Sequence, residues 1–126
     1  MTERPLVSTL ILNWNGAHLL PDCLSTLATQ DWSGHEVVVV DNGSADDSAA
    51  VTARYPAARW LPMGENLGFT RAYNRAVRDA KGAFLFFVNN DMRFEPDCVS
   101  RLAPRASRLR ADPFSVSDTG ALLAGA

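Results

Sequence analysis

Phe84-Leu85-Phe86-Phe87-Val88-Asn89-Asn90-Asp91 is the stretch on which the fold turns. Five bulky apolar residues stop abruptly at three polar ones. A strand with one wet face alternates apolar and polar residues, whereas a strand covered on both faces does not. This run does not alternate, so it reads as a strand of a parallel sheet covered on both faces. Working outward, three more runs behave alike: Leu6-Val7-Ser8-Thr9-Leu10-Ile11-Leu12, Val37-Val38-Val39-Val40 and the weaker Arg59-Trp60-Leu61. Between them apolar residues recur at helical spacing. Leu19, Leu20, Cys23, Leu24 and Leu27 form one stripe; Phe69, Ala72, Tyr73, Ala76, Val77 and Ala80 form another. Ser44-Ala45-Asp46-Asp47 has the form of a capping box with Asp in the Glu place, and opens a helix expected to end near Pro56. Gly82 is expected to end the second striped helix, and Glu95-Pro96-Asp97 to open the last one.

The order is therefore β-α-β-α-β-α-β-α, an α/β open parallel sheet of Rossmann-like build with helices on both faces. The apolar pattern decays after Pro104. Residues 1–103 are expected to form the domain and 104–126 an unassigned tail. A sheet ending there is expected to leave Phe84, Phe86 and Phe87 uncovered.

Composition narrows the function. The 126 residues are 47% hydrophobic and 21% charged, which suits one globular domain with its own core. A net charge of −2 argues against a general binder of nucleic acid or anionic membrane. No apolar run approaches the ~20 residues of a membrane-spanning helix. The amino end, with Glu3 and Arg4, lacks a signal-type apolar segment. Cys23 and Cys98 have no metal-ligand spacing and are expected to be buried free thiols in a reducing compartment.

Three of the strands end in polar clusters: Asn13-Trp14-Asn15-Gly16, Asp41-Asn42-Gly43-Ser44 and Asn89-Asn90-Asp91. In open parallel sheets the ligand crevice lies outside the carboxyl ends of the strands, so these clusters should converge. The first two are also good turn chemistry. The third is not, because the next helix starts too late for Asp91 to cap it. Three polar residues after an apolar strand need solvent, a ligand or a metal. Asp91 is a hard oxygen donor, and Asn89 or Asn90 can add a neutral oxygen. Mg²⁺ or Mn²⁺ takes one or two protein carboxylates and completes its shell with phosphates and water, which suits a nucleoside diphosphate. Residues 64–69 lead into a helix. There Gly68 permits close backbone approach and the helix start favours anions, although Asn66 could equally be an ordinary cap. Asn74 lies on the same helix and Trp14 adjoins the crevice.

Other site types fail. No G-x-G-x-x-G, P-loop or nucleophile elbow is present. His18 and His35 are isolated, and Arg71, Arg75 and Arg78 read as a solvated face. A receiver domain would place acids after the first strand, where Asn13 stands. A nucleotidyltransferase would place a basic Gly-rich loop there, but residues 13–20 hold one Gly and no Lys or Arg.

With these residues in place, the chain resembles a family 2 glycosyltransferase of the GT-A fold, in the rhamnosyltransferase-like branch. The matching motifs are Leu10-Ile11-Leu12-Asn13-Trp14-Asn15-Gly16, Val38-Val39-Val40-Asp41-Asn42-Gly43-Ser44, Asn66-Leu67-Gly68-Phe69 with Asn74, and Val88-Asn89-Asn90-Asp91 followed by Pro96-Asp97. Their order and spacing agree over residues 6–103. The resemblance implies a UDP- or dTDP-linked sugar donor, Mg²⁺ or Mn²⁺, and hexosyl transfer in bacterial surface polysaccharide assembly. It places Asn13, Asn15 and Asp41 at the base and ribose, with Asn66, Gly68 and Asn90 also on the nucleotide. Asp91 matches the last acid of the D-x-D-type motif that holds the metal on the diphosphate. Here that motif reads Asn89-Asn90-Asp91, without its earlier acids.

Family members continue well beyond this length. Their second half supplies the site for a saccharide or lipid-linked acceptor and the catalytic Asp, often within a Glu-Asp pair. No such pair follows Asp91, so no catalytic base is assigned here. The chain is expected to be a donor-binding half, inactive in transfer by itself, whether from a truncated gene, a frameshift or a fragment. Its expected place is the cytoplasm, with the inner face of the membrane as one option. A stand-alone, non-catalytic nucleotide- or metal-binding α/β module is the alternative.

Overall fold

The computed structural model describes residues 6–111. Eight elements follow in order: β1 (Val7–Asn13), α1 (Leu20–Ala28), β2 (His35–Asp41), α2 (Ser48–Thr52), β3 (Ala58–Pro62), α3 (Phe69–Val77), β4 (Phe84–Asn89) and α4 (Cys98–Ala111). The strands form one sheet in the order β3-β2-β1-β4, and every pairing is parallel. β1 is central, with Leu10 opposite Val38 on one side and Phe87 on the other.

Both faces of the sheet are covered, which explains the missing alternation. Val7, Ile11, Val37, Val39, Phe84, Phe86 and Val88 pack with Leu20, Leu24 and Leu27 of α1, Val51 of α2 and Val99, Ala103 and Ala106 of α4. Leu10, Val38, Val40 and Leu85 pack on the other face with Ala72, Tyr73 and Ala76 of α3. Phe84 and Phe86, expected to be uncovered, are buried because α4 and Phe94 close over them. Phe87 is half-buried and meets the Tyr73 ring edge-on.

Four local expectations are corrected. Ser44 does not open α2; its hydroxyl is drawn toward Asp41 and Asn15. The N-cap position falls on Asp47, and Asp46 just before it accepts from the Ser48 N–H at 3.0 Å and the Ser48 hydroxyl at 2.5 Å. α2 has five residues and ends at Thr52, before Pro56. Gly82 does not end α3, which finishes at Val77. It sits against β1, where its N–H donates to Ser8 Oγ at 2.8 Å and a Cβ would stand 2.6 Å from the Ser8 nitrogen. Phe69 begins the α3 stripe but is 62% exposed, its ring edge-on to that of Tyr73. Finally, α4 runs through Pro104 to Ala111. A proline forfeits one helical hydrogen bond, but Val99, Ala103 and Ala106 keep one face of the helix on the core. The expected tail thus begins as helix; residues 112–126 lie outside the described residues.

The amino end of the sheet carries a polar clasp. Glu36 accepts from the Ser8 hydroxyl at 2.6 Å, the Lys81 N–H at 3.1 Å and Arg59 Nη2 at 2.8 Å, while Arg59 also pairs with Asp79. Burial pushes the Glu36 carboxyl up, but these bonds outweigh it and hold the group below its usual 4.5. His35 Nε2 lies 2.6 Å from Thr9 Oγ1, and burial lowers its pKa below 6.5. The unfolded chain therefore takes up the His35 proton first. Stability should fall as pH drops below 6.5, while the Glu36 contribution persists until pH falls below 4.5. Urea denaturation across the upper window checks this. His35→Gln, which keeps a partner for Thr9 but does not titrate, should flatten the dependence there.

Candidate functional site

Parallel pairing brings the strand ends together. Asn13 is opposite Asp41, and Leu12 is opposite Asn89, so Asn90 falls beside Asn13. The Asn13 amide is fully buried and bridges its neighbours. Its Nδ2 donates to Asp41 Oδ1 at 3.1 Å and to Ser44 Oγ at 3.3 Å. Its Oδ1 accepts from Asn90 Nδ2 at 2.9 Å. Asp41, 4% exposed, also accepts the Ser44 hydroxyl on Oδ1 at 2.5 Å and the Ser44 N–H on Oδ2 at 3.0 Å. Asn15 turns back with φ 50°, a conformation asparagine tolerates. Its N–H donates to Ser44 Oγ at 2.8 Å and its side-chain oxygen accepts from Ala45 N at 2.8 Å. Asp46 adds a further tie by accepting from the Ala17 N–H at 2.9 Å.

The loop before α3 is clamped to the β2 turn. Asn42 donates from Nδ2 to Asn66 Oδ1 at 3.0 Å and accepts from the Leu67 N–H at 2.8 Å. Asn66 Oδ1 also accepts from the Gly68 N–H at 2.9 Å. Gly43, at φ +83°, packs so closely that a Cβ would lie 2.7 Å from the Glu65 carbonyl carbon. Gly68 takes φ +80° immediately before α3, a backbone most residues avoid, and no heavy atom lies within 4 Å of where its Cβ would be. Tyr73 anchors α3 by donating to the Val88 carbonyl at 2.9 Å, and burial pushes its phenol up to about 12.

Asp91 lies exposed just past β4, next to Asn90. Beneath it, Cys23 is buried with its thiol pushed up to about 12, first by burial and then by the Asp91 charge. Cys23 and Cys98 are both free, as expected, but only Cys23 is fully buried; Cys98 is half-buried at the start of α4. Among the described residues no three His, Cys, Asp or Glu side chains gather into a metal cage. One carboxylate flanked by amides fits a divalent ion whose other oxygens come from substrate phosphates and water.

The structure thus joins Asn13, Asn15, Asp41 and Asn90 in one hydrogen-bonded cluster. It joins Asn66 and Gly68 to that cluster through Asn42, and leaves Asp91 on the rim. Trp14, 56% exposed, stands on the same edge, whereas Trp32 and Trp60 pack against the core. Asn74 is exposed on α3. Sequence reasoning took Asn42 and Ser44 for turn residues. The Asp41-x-x-Ser44 spacing carried a signal for one of them; the Asn42–Asn66 bond, 24 residues apart, had none.

No helix among the described residues is long and apolar enough to cross a membrane. The family model for glycosyl transferase family 2 matches residues 8–117. An N-acetylglucosaminyltransferase of Mesorhizobium japonicum is 35% identical over 106 residues, covering 79% of this chain and 25% of that protein. The mannosyltransferase PcManGT from Pyrobaculum calidifontis, solved with GDP-Man and Mn²⁺, superposes with a TM-score of 0.74 at 28% identity, covering 89% of this chain and 34% of that one. S. aureus TarS 1-349, solved with UDP-GlcNAc, superposes with a TM-score of 0.75 at 25% identity, covering 82% and 31%. The chain spans about a third or less of the length of these proteins. Its parallel sheet, with helices on both faces, is part of the GT-A fold, and the chain belongs to glycosyl transferase family 2.

Proposed function

We propose that the crevice outside β1, β2 and β4 holds a UDP- or dTDP-linked sugar together with Mg²⁺ or Mn²⁺, as the donor site of a hexosyltransferase. The observation that carries this reading is the single hydrogen-bonded cluster of Asn13, Asp41 and Asn90 with Asp91 at its rim. Asp41 Oδ1 takes two bonds and Oδ2 one, which leaves Oδ2 an acceptor site for the imide N–H of uracil or thymine. The turn from Asn13 to Asn15 lines the nucleoside end. Asn66 and Gly68, held by Asn42, border the nucleotide. Asn90 offers Oδ1, because its structural bond uses Nδ2. Asp91 is the protein's carboxylate for the metal. When bound, that metal neutralises charge on the leaving diphosphate.

In the whole protein this site serves transfer to a saccharide or lipid-linked acceptor in bacterial surface polysaccharide assembly. The cytoplasm, where nucleotide sugars are made, is its place of work, at or near the inner face of the membrane. The relatives solved with GDP-Man and Mn²⁺ and with UDP-GlcNAc support a nucleotide sugar and a divalent ion as the ligands.

Calorimetry of the chain with UDP, dTDP and GDP, each with and without Mn²⁺, tests the reading. UDP or dTDP should bind, with Mn²⁺ strengthening the affinity about tenfold or more, equivalent to ~1.4 kcal/mol. No binding of any of the three to a folded sample sinks the nucleotide assignment.

A further inference from the structure

We propose that Asn13 is a positioning residue that couples the two ends of the site. Its buried amide holds Asp41 and the segment of Asn90 and Asp91 in one fixed relation, so the nucleoside end and the diphosphate–metal end fill cooperatively. This rests on the nucleotide reading above and deepens it, since a side chain with 0% exposure serves the ligand by placing others.

The hydrogen-bond roles are forced. An ionised Asp41 is an acceptor only, so the Asn13 NH₂ must face it. The Asn13 oxygen must then face Asn90, which in turn must present its own NH₂. Orientation is thereby passed from the carboxylate on β2, through central β1, to the end of β4 over bonds of 3.1 and 2.9 Å. Ser44 reinforces the first link by bonding both Asp41 and Asn13. The same chain leaves Asn90 Oδ1 available beside Asp91. A displacement at either end turns the Asn13 amide and breaks its bond at the other, and buried polar groups left unpaired are costly. A coupling of this kind is reciprocal: what the base does for the metal, the metal does for the base. Titratable groups on the segments adjoining this edge are Asp41, Asp46 and Asp47 after β2, His18, Asp22 and Cys23 around α1, Glu65 before α3, and Asp91 after β4, with His35 and Glu36 at the far end of β2. Of these, Asp41 hydrogen-bonds Asn13.

Asn13→Asp keeps the shape and changes one proton. Protonated, the new carboxyl donates to Asp41 and accepts from Asn90, and gives up only the amide's longer donation to Ser44 at 3.3 Å. Ionised, it sets a second carboxylate against Asp41 and repels it. The proton is held at acid pH and lost as pH rises. Two measurements on the full chain, from about pH 5 to about pH 8, read the consequence. The first is the side-chain NH₂ signal of Asn90 by NMR, without ligand. Its difference from wild type should be small at the acid end and grow with pH. The second is UDP affinity with and without Mn²⁺. Variant and wild type should agree at the acid end; at the alkaline end the variant should bind about tenfold more weakly, and Mn²⁺ should no longer help.

An Asn90 signal that ignores the variant's titration overturns the coupling whether or not nucleotide binds. Mn²⁺ enhancement that survives at the alkaline end overturns it as well. Absence of UDP binding by folded wild type sinks the nucleotide reading instead, and the NMR arm still decides the coupling. Should Asn13→Asp unfold at the alkaline end, Asn90→Ala supplies the second test. Removing the donor to Asn13 should move the Asp41 carboxyl resonance, and an unmoved resonance overturns the proposal.

Discussion

Replacing Asp91 by alanine is expected to abolish the metal-dependent part of nucleotide binding. With Mn²⁺ present, Asp91→Ala should bind UDP no better than wild type does without metal, a loss of about tenfold to a hundredfold. The argument starts from the donor set. Asp91 is an exposed carboxylate at the end of β4, flanked by Asn90, and the described residues hold no alternative cage of His, Cys, Asp or Glu. A divalent ion shared with a diphosphate has few protein ligands, so loss of its carboxylate leaves little to retain it. The fold should be untouched, because an exposed side chain outside the cluster carries little packing. Calorimetry in the presence and absence of Mn²⁺, beside a thermal melt, reads both halves. Mn²⁺ enhancement of wild-type size in the folded variant would show that the metal sits elsewhere.

A single methyl group at Gly16 is expected to disrupt the site from below. A Cβ there would stand 2.1 Å from Asn90 Nδ2 and 2.4 Å from Asn13 Oδ1, the two atoms of the bond that ties β4 to β1. Asn13 cannot retreat easily, since it is buried and also holds Asp41 and Ser44, so the half-buried Asn90 side chain gives way. Overpacking of this kind costs about 1–3 kcal/mol. For a domain of this size that is a fall in melting temperature of roughly 4–8 °C per kcal/mol. UDP affinity should drop about tenfold with it, because Asn90 is pushed out of place. The double variant Gly16→Ala with Asn90→Ala separates the causes. Stability should recover in part, since the clash with Asn90 is gone while the Cβ still stands 2.4 Å from Asn13 Oδ1; binding should not recover, and the two changes should be far from additive. If Gly16→Ala costs as much stability with Asn90→Ala present as without it, Asn90 is not what Gly16 makes room for.

The element order was legible in the sequence, for a local physical reason. Val37-Val38-Val39-Val40 and Phe84-Leu85-Phe86-Phe87-Val88 lack alternation because both sheet faces are covered, and that pressure acts on each strand separately. The convergence of Asn13, Asp41 and Asn90 was legible too. Parallel strands necessarily bring their carboxyl ends to one edge, so polar residues at those ends line that edge whatever the strand order. Free cysteines followed from their lack of metal-ligand spacing and their places on different helical segments of a chain read as working in a reducing compartment.

Tertiary structure decided the rest. The order β3-β2-β1-β4 makes β1 central, and only that places Asn13 between Asp41 and Asn90. Ser44 looked like a helix cap because a hydroxyl followed by acids is a good one; it was taken by a buried carboxylate three residues back. Gly82 looked like a helix end, and its real reason is a crossing against Ser8, 74 residues away. Pro104 looked like a stop, yet α4 continues because Ala103 and Ala106 bury against the sheet. Propensity and capping report what a segment prefers alone. Which hydroxyl, glycine or helix turn is used depends on partners distant in sequence, and a buried polar group leaves no choice but to find one.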